Sequence, residues 1–516
     1  MMLVRQICGG LFFALLALPA GAQQLSGSAS PVAAPQSLDQ LLQAGNHSSY
    51  SGSVPGGELQ SGTLDLTVQD AIDRSLRYNL GVVLSSQDSA LARAEHLKQL
   101  SNMLPQLNGT LRESETKVNL QAEGLSFKIP GFNIGNSVQF ANSEARVSMT
   151  EDLVDFHAIE STRAATAGVR AAAFTYSSAR ETVTLAAAAS YLLVISAESQ
   201  VEAANAELKT AEALYQLAQD REAAGLNPNI DSLRARVEAQ VRRQNLIEAR
   251  NNMAKQRIAL LRVLGLPLHQ EIRLVTRVPY KPLPQVVEAE ELQRALAMRP
   301  DYLATEQQVK AAELRRKSAE AERLPSLGFS GDYGVIGTRP DNAFPTWSVN
   351  AGLKIPIFQG GKVEADIHKA DAELQQAKAQ RDDLKGRIEQ DIADALLDVA
   401  SAGEQVEVAK ATLDYAQQAL TQSQDRFSAG VTNNIEVIQA QEAVANADQQ
   451  FIGSLFSHNL AKVLLARAVG TAEKSVRRAL EEDSGAGEAG QNVPGANANG
   501  GTEQPPSASG NPAPAK

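Results

Sequence analysis

The 516-residue chain has a single cysteine, Cys8, and it falls inside what reads as a removable leader. Residues 1–22 carry Arg5 in a short basic region, an apolar run from Leu11 to Leu18, and Ala20-Gly21-Ala22 as a small-residue cleavage site before Gln23. That is the layout of a secretory signal peptide, so export is expected. A mature chain without thiols excludes disulfides, thiol catalysis and cysteine metal sites. Arg5-Gln6-Ile7, before Cys8, lacks the small side chains of a lipid-attachment site, so a lipoprotein is not expected.

Aromatic residues are only 4% of the chain, which suits long helices packed side by side better than one thick globular core. Beyond residue 22 no run approaches the ~18 consecutive apolar residues of a membrane helix. Membrane contact is therefore expected through strands or a surface anchor. A basic excess is also missing: 48 Lys and Arg face 59 Asp and Glu, for a formal charge of -11. This argues against nucleic acid as a partner. His47, His96, His157, His269, His368 and His458 form no H-x-x-x-H pair and have no carboxylate companion at ligand spacing. Gly56-Gly57 and Gly360-Gly361 lack a phosphate-loop context, and the acids on helical segments read as solvated faces. No catalytic, cofactor-binding or metal-binding residue is assigned, and an enzyme is not expected.

What the chain does have is a repeat. Asp220-Arg221-Glu222-Ala223-Ala224-Gly225 and, further on, Asn229-Ile230-Asp231 are answered 205 residues later by Asp425-Arg426-Phe427-Ser428-Ala429-Gly430 and Asn434-Ile435-Glu436. The register runs on through Leu260, Arg262 and Gly265 to Leu465, Arg467 and Gly470. A second match, offset by 220, pairs Arg74, Gln87 and Leu104-Pro105 with Arg294, Gln307 and Leu324-Pro325. Two repeats are expected, 63–285 and 286–480, each reading helix, Pro, extended segment, very long helix, turn, helix. Residues 23–62 and 481–516, rich in Ser, Gly, Pro, Ala and Asn, are expected to be disordered tails.

Steps of four and three from Ile388 meet Ile392, Ala395, Val399, Ala402, Val406, Ala409, Leu413, Ala416, Leu420, Ser423 and Phe427, a heptad seam of small against large. Helices from about 158 to 224 and about 360 to 429 would each be roughly 100 Å long at ~1.5 Å per residue. The segments before them alternate instead. Trp347, Val349, Ala351, Leu353, Ile355 and Ile357 are interleaved with polar or small residues, predicting a strand over 347–357 paired with 327–335. Equivalents are expected around 107–119 and 138–150, joined by a longer loop with Gly124, Pro130, Gly131 and Gly135. Four strands cannot close a barrel, because small barrels need about eight. The chain is therefore expected to oligomerise.

With Ile355-Pro356-Ile357-Phe358-Gln359-Gly360-Gly361 between strand and long helix, and with the two turn motifs, the chain resembles the TolC-like outer membrane factor family over roughly residues 65–475. The resemblance implies a mainly α fold with a small β part: duplicated long helical hairpins form a trimeric α-barrel topped by a 12-stranded transmembrane β-barrel. It implies an exit duct of a tripartite efflux pump or type I secretion system, a homotrimer in outer membrane lipid. A periplasmic adaptor and an inner-membrane transporter are the implied partners. Ala224, Gly225, Leu226, Ala429, Gly430 and Val431 then become hairpin tips facing the adaptor, with Gly225 and Gly430 as helix C-caps. Pro356, Phe358, Gly360 and Gly361 become the strand-to-helix element. Asp231, Phe427, Thr432, Asn433, Asn434, Glu436 and Gln439 become the periplasmic gate, Glu436 forming an acidic entrance ring. Three departures stand out: Phe427 in place of a Tyr, Thr432 in place of a linking Arg, and Gln439 in place of a second acid. A phenyl ring cannot donate a hydrogen bond, so the gate is expected to rest on packing and amide contacts. The rival reading is a periplasmic coiled-coil adaptor or scaffold, which the amphipathic strand disfavours. The exported substrate is not legible.

Overall fold

The structure, a computed structural model, describes residues 48–56, 62–120, 122, 124, 137–226, 228–276, 279–283 and 286–476. The expected signal peptide, the C-terminal tail, and Pro130, Gly131 and Gly135 lie outside them. In chain order the elements are β1 (Leu64–Leu66), α1 (Val68–Tyr78), α2 (Leu80–Ser101), β2 (Gln106–Asn119), β3 (Ser137–Val154), α3 (Phe156–Ala223) and α4 (Asn229–Leu264). They continue as β4 (Ile272–Leu274), α5 (Glu288–Met298), α6 (Pro300–Ala321), β5 (Ser326–Gly337), β6 (Ala343–Lys354), α7 (Lys362–Ser428) and α8 (Asn434–Ala468). From α1 to α4 and from α5 to α8 the same succession of elements is laid down twice.

Where one helix was expected at the start of each half, there are two. Asn79 is extended (ψ 131°), and its side chain accepts from Gly81 N–H to open α2. The matching break falls at Arg299 (ψ 115°), which precedes Pro300; a residue before proline is pushed out of the helical region. Residues 48–56, assigned by composition to a disordered tail, are ordered. Tyr50 accepts at its carbonyl from Asn79 Nδ2 (2.7 Å), and Val54 N–H donates to Tyr78 O (2.8 Å).

The long helices have 68 and 67 residues, so each extends about 100 Å. The α7 seam is buried as its periodicity requires, with Ile388, Ile392, Val406 and Phe427 at most 1% exposed, and α3 buries Val183, Ala187, Val194 and Ala218 to the same extent. Small residues on one line let backbones approach, and large ones interdigitate. One stretch of α3 is long and apolar enough to cross a membrane by length and composition, but 72% of it is buried within the chain. The reason is the largest apolar cluster, where α3 from Val183 to Val194 meets α1, the end of α4 and Phe456, Leu460 and Val463 of α8. Tyr191 anchors it, donating to Leu66 O (2.9 Å) and accepting from Thr276 N–H (3.2 Å).

The large sheet is antiparallel throughout, in the order β2-β3-β5-β6. β6 ends at Lys354, short of the predicted Ile357, and β3 runs on to Val154. Ile355 and Ile357 carry the alternation past the end of the strand, and both are exposed in the single chain, 58% and 94%, ahead of the turn at Gly360.

Candidate functional site

Each long hairpin turns through the same Schellman motif. In the first, Gly225 N–H donates to Glu222 O (2.9 Å) and Leu226 N–H to Arg221 O (2.8 Å); in the second, Gly430 N–H donates to Phe427 O and Val431 N–H to Arg426 O, both at 3.0 Å. This geometry needs a left-handed residue one place past the C-cap. The C-caps are Ala224 and Ala429, and Gly225 (φ 71°) and Gly430 (φ 73°) follow them, a shift of one position from the expectation. Leu226 and Val431 stand out at the apex, 69% and 70% exposed.

The two tips are joined. Phe427 is 1% exposed and packs with Leu214 of α3 and Val437 of α8. The Arg221 guanidinium lies 5.0 Å over its ring and donates to its carbonyl oxygen. Asn434, fully buried, donates from Nδ2 to Asp231 O (2.9 Å), tying the start of α8 to the start of α4. Of the sequence-predicted gate residues, Asp231, Phe427 and Asn434 are thus brought together across the hairpins. The others act locally: Asn433 caps α8 by accepting from Ile435 N–H (3.1 Å), Thr432 donates to the Glu436 carboxylate, and Gln439 is exposed. Glu436 also has Arg426 Nε at 3.5 Å, in a half-exposed setting. Asp231 and Glu436 both lie in the first turn of their helices, where the helix dipole favours a negative charge.

Arg221, Glu222, Asn229 and Ser232 belong to the same tip, and the sequence reading assigned none of them a role there. Glu222 accepts from Asn229 Nδ2 (2.6 Å) and from the Ser232 hydroxyl. These bonds, Ser232's first, hold its carboxyl below the usual glutamate range. A signal was available: Arg221 and Arg426 occupy the same place in the repeat.

Between the hairpins runs a groove of about 1860 Å³, lined by α3, α4, α7 and α8 with polar groups such as Gln200, Glu207, Asn245, Gln405 and Gln449. At the other end the sheet has two unlike faces. Leu111, Ala145, Val335 and Pro345 form one cross-strand row; Gly109, Val147, Tyr333 and Trp347 the next; Leu107, Met149, Gly331 and Val349 the third. The rows between them point to the opposite face and are polar: Thr110, Arg146, Gly334, Thr346, then Asn108, Ser148, Asp332, Ser348. Arg146 pairs there with Asp332 (2.5 Å) and donates to Thr346 (3.1 Å). On β5 and β6 the apolar face continues through Phe329 and Ala351, beside Glu151 of β3, to Leu327 and Leu353, about 26 Å along β6 at ~3.3 Å per residue. That is the scale of the ~25 Å apolar band of an outer-membrane barrel. Below the sheet, Gly360 (φ 63°) and Gly361 (φ 84°) turn the chain after Pro356 and the 86% exposed Phe358, and Gly361 is the N-cap of α7.

The family model described as "Outer membrane efflux protein" matches residues 79–266 and 292–471, well over half of the chain. The chain belongs to this family. One matched stretch falls within each of the two expected repeats, and the family assignment displaces the coiled-coil adaptor reading. Among curated relatives, SepC of Pseudomonas putida, a probable efflux pump outer membrane protein, is 25% identical over 413 residues, 79% of this chain and 83% of its own length. SilC of Salmonella typhimurium, a probable outer membrane lipoprotein, is 24% identical over 53% of this chain, which spans 60% of SilC's length. Among solved structures, the CmeC outer membrane channel of Campylobacter jejuni has the same fold, with a TM-score of 0.68 at 16% identity over 84% of this chain and 95% of CmeC. Within this outer membrane efflux fold, the described residues hold no group of three or more His, Asp and Glu able to bind a metal.

Proposed function

We propose that copies of this chain form a passive exit duct through the outer membrane, fed from the periplasm. The observation that carries this reading is the amphipathic four-stranded sheet whose two edge strands, β2 and β6, have no second neighbour among the described residues. A sheet edge facing lipid leaves backbone groups unsatisfied at several kcal/mol each. Closure by further copies removes that cost, and three copies supply twelve strands. The apolar rows then face lipid, and Arg146 and Asp332 face the lumen.

The helical hairpins prolong the lumen into the periplasm, and their tips form the mouth. There Asp231, Phe427 and Asn434 keep the entrance narrow, Glu436 contributes an acidic ring, and Leu226 and Val431 meet a periplasmic adaptor. An inner-membrane transporter, engaged through that adaptor, supplies the energy. Cleavage after Ala22 delivers the mature chain without a lipid anchor. Substrate choice is made upstream, so drug, metal and protein export share this exit design.

Membrane fractionation together with planar-bilayer recording tests the reading. The duct predicts heat-modifiable oligomers in the outer membrane that conduct when purified. Release of the protein by osmotic shock, with no conductance, would sink it.

A further inference from the structure

On the polar face of the sheet one side chain spans three strands. Arg146 of β3 donates from Nε to Glu144 (2.5 Å), from Nη1 to Asp332 of β5 (2.5 Å) and from Nη2 to the Thr346 hydroxyl of β6 (3.1 Å). Asp332 is fixed in turn by Ser348 N–H (2.9 Å). In the cross-strand row, Gly334 stands between Arg146 and Thr346. A Cβ there would lie 2.5 Å from Ala145 O and 2.9 Å from Arg146 Cα, so a side chain at 334 would force β3 and its arginine away. The glycine leaves a notch in which Arg146 lies flat along the wall. Its side chain is only 21% exposed, although nothing covers this face in the single chain.

The charged residues of the four strands that share this face balance. Arg112, Arg146 and Lys354 stand against Glu144, Asp152 and Asp332, and Arg112 lies opposite Glu144 on β2. The geometry points to Arg146 as the residue that keeps the barrel lumen neutral in sign, so that the exit passes anionic and cationic solutes alike. This rests on the duct reading above, which turns the polar face toward the lumen, and it names what decides charge selectivity there.

Arginine suits the task because its guanidinium stays charged and its fixed fork of donors serves two carboxylates and a hydroxyl at once. Held against both acids, its charge cancels theirs in part, and Arg112 beside Glu144 completes the balance at this level. An uncompensated carboxylate on a pore wall instead draws cations to it, over a screening length of ~10 Å at 0.1 M salt. Loss of Arg146 would leave one uncompensated negative charge per copy, repeated around the ring at one height. The acids at the periplasmic tips lie at the far end of the long helices, so the wall and the mouth act on the current independently.

Ion selectivity of the full-length protein in planar bilayers tests this, read as the reversal potential across a salt gradient. The Phe427→Ala background serves, because a loosened mouth lets the barrel weigh on the current. There Arg146→Gln should raise the cation-to-anion permeability ratio roughly twofold at ~0.1 M salt, and the rise should fade at ~1 M, where the screening length falls to ~3 Å. Glu144→Gln alone should lower the ratio by a similar factor. Arg146→Gln with Glu144→Gln removes one charge of each sign and should return the ratio to its background value, which the loss of a merely structural staple would not do. Arg146→Lys keeps the charge without the fork and should hold the ratio. A ratio unmoved by either single Gln substitution overturns the role of Arg146, and so does a double variant that stays shifted. If Arg146→Gln gives no channel, the other two single variants decide: no fall with Glu144→Gln, or a rise with Arg146→Lys, overturns the role. Absence of current from both the wild type and Phe427→Ala overturns instead the duct reading itself.

Discussion

Arg221, at the end of one 68-residue helix, covers the ring of Phe427, near the end of another, at 5.0 Å, and also donates to its backbone carbonyl. The same carbonyl caps the turn by accepting from Gly430 N–H, so a single residue fastens its own turn and the neighbouring hairpin. Phe427→Ala removes a fully buried ring, a change that costs about 3–5 kcal/mol where the site cannot collapse. The loss should be local: higher conductance and faster proteolysis at the tips, with the melting of the sheet unchanged. Phe427→Leu should recover most of it. Equal loss in both variants would mean that the ring face, more than its volume, is what Arg221 needs.

Glu436 is proposed for the mouth on a different argument. Its carboxylate is half-exposed, with Arg426 Nε at 3.5 Å and the Thr432 hydroxyl as donor. In the proposed ring of copies these carboxylates would face one another and attract cations from the periplasmic side. Glu436→Gln should weaken the block of single-channel current by added divalent cations. An unchanged block in planar bilayers would remove Glu436 from the ring.

Much of this was legible in the sequence, for reasons that differ from element to element. The heptad from Ile388 to Phe427 could be read because one long helix repeats one packing rule, and its buried line matches it. The strands could be read because the sheet has a single apolar face, so Trp347, Val349 and Leu353 keep period two. The breaks at Asn79 and Arg299 were missed, although Pro300 announces one of them. The partners of Phe427 at the joined tips were missed for a deeper reason. Which hairpin Arg221 touches is decided by how two helices 205 residues apart lie side by side, and no local pattern encodes that. Composition likewise hid residues 48–56, whose order comes from a few backbone bonds to α1, α2 and Gly265.

Two glycines with the same backbone conformation should respond differently to alanine. At Gly225 (φ +71°) an added Cβ meets nothing within 4 Å, whereas at Gly470 (φ +78°) it would lie 2.7 Å from Arg299 Cα. Gly225→Ala should therefore cost about 1 kcal/mol, the conformational penalty alone. Gly470→Ala should cost clearly more, because Arg299 is itself held by Asp301 and Asp391, both at 2.9 Å, and by the Ala468 carbonyl. Thermal melting of both variants in the same detergent compares them. Equal shifts would show that the Arg299 segment gives way freely.

His458 offers a pH test whose sign follows from burial. It is 1% exposed on α8, its ring 4.9 Å from that of Tyr280, and its Nε2–H donates to the Lys281 carbonyl (3.2 Å). Burial holds its pKa below the ordinary histidine value, outweighing the carbonyl contact that favours the proton. In the unfolded chain it titrates near ~6.5. Just below that pH the unfolded state binds more protons than the folded one, so stability falls as the pH falls. The contribution is complete above about 6.5 and is lost as the pH drops from there through the lower folded value. Burial raises the pKa values of Glu181 and Glu207, and these groups push the other way on acidification. The informative quantity is therefore the difference between wild type and His458→Phe, which keeps the ring packing on Tyr280. Between pH 7 and pH 5 the variant should lose less stability than the wild type, and parallel melting curves across that window would show that His458 protonates as easily folded as unfolded.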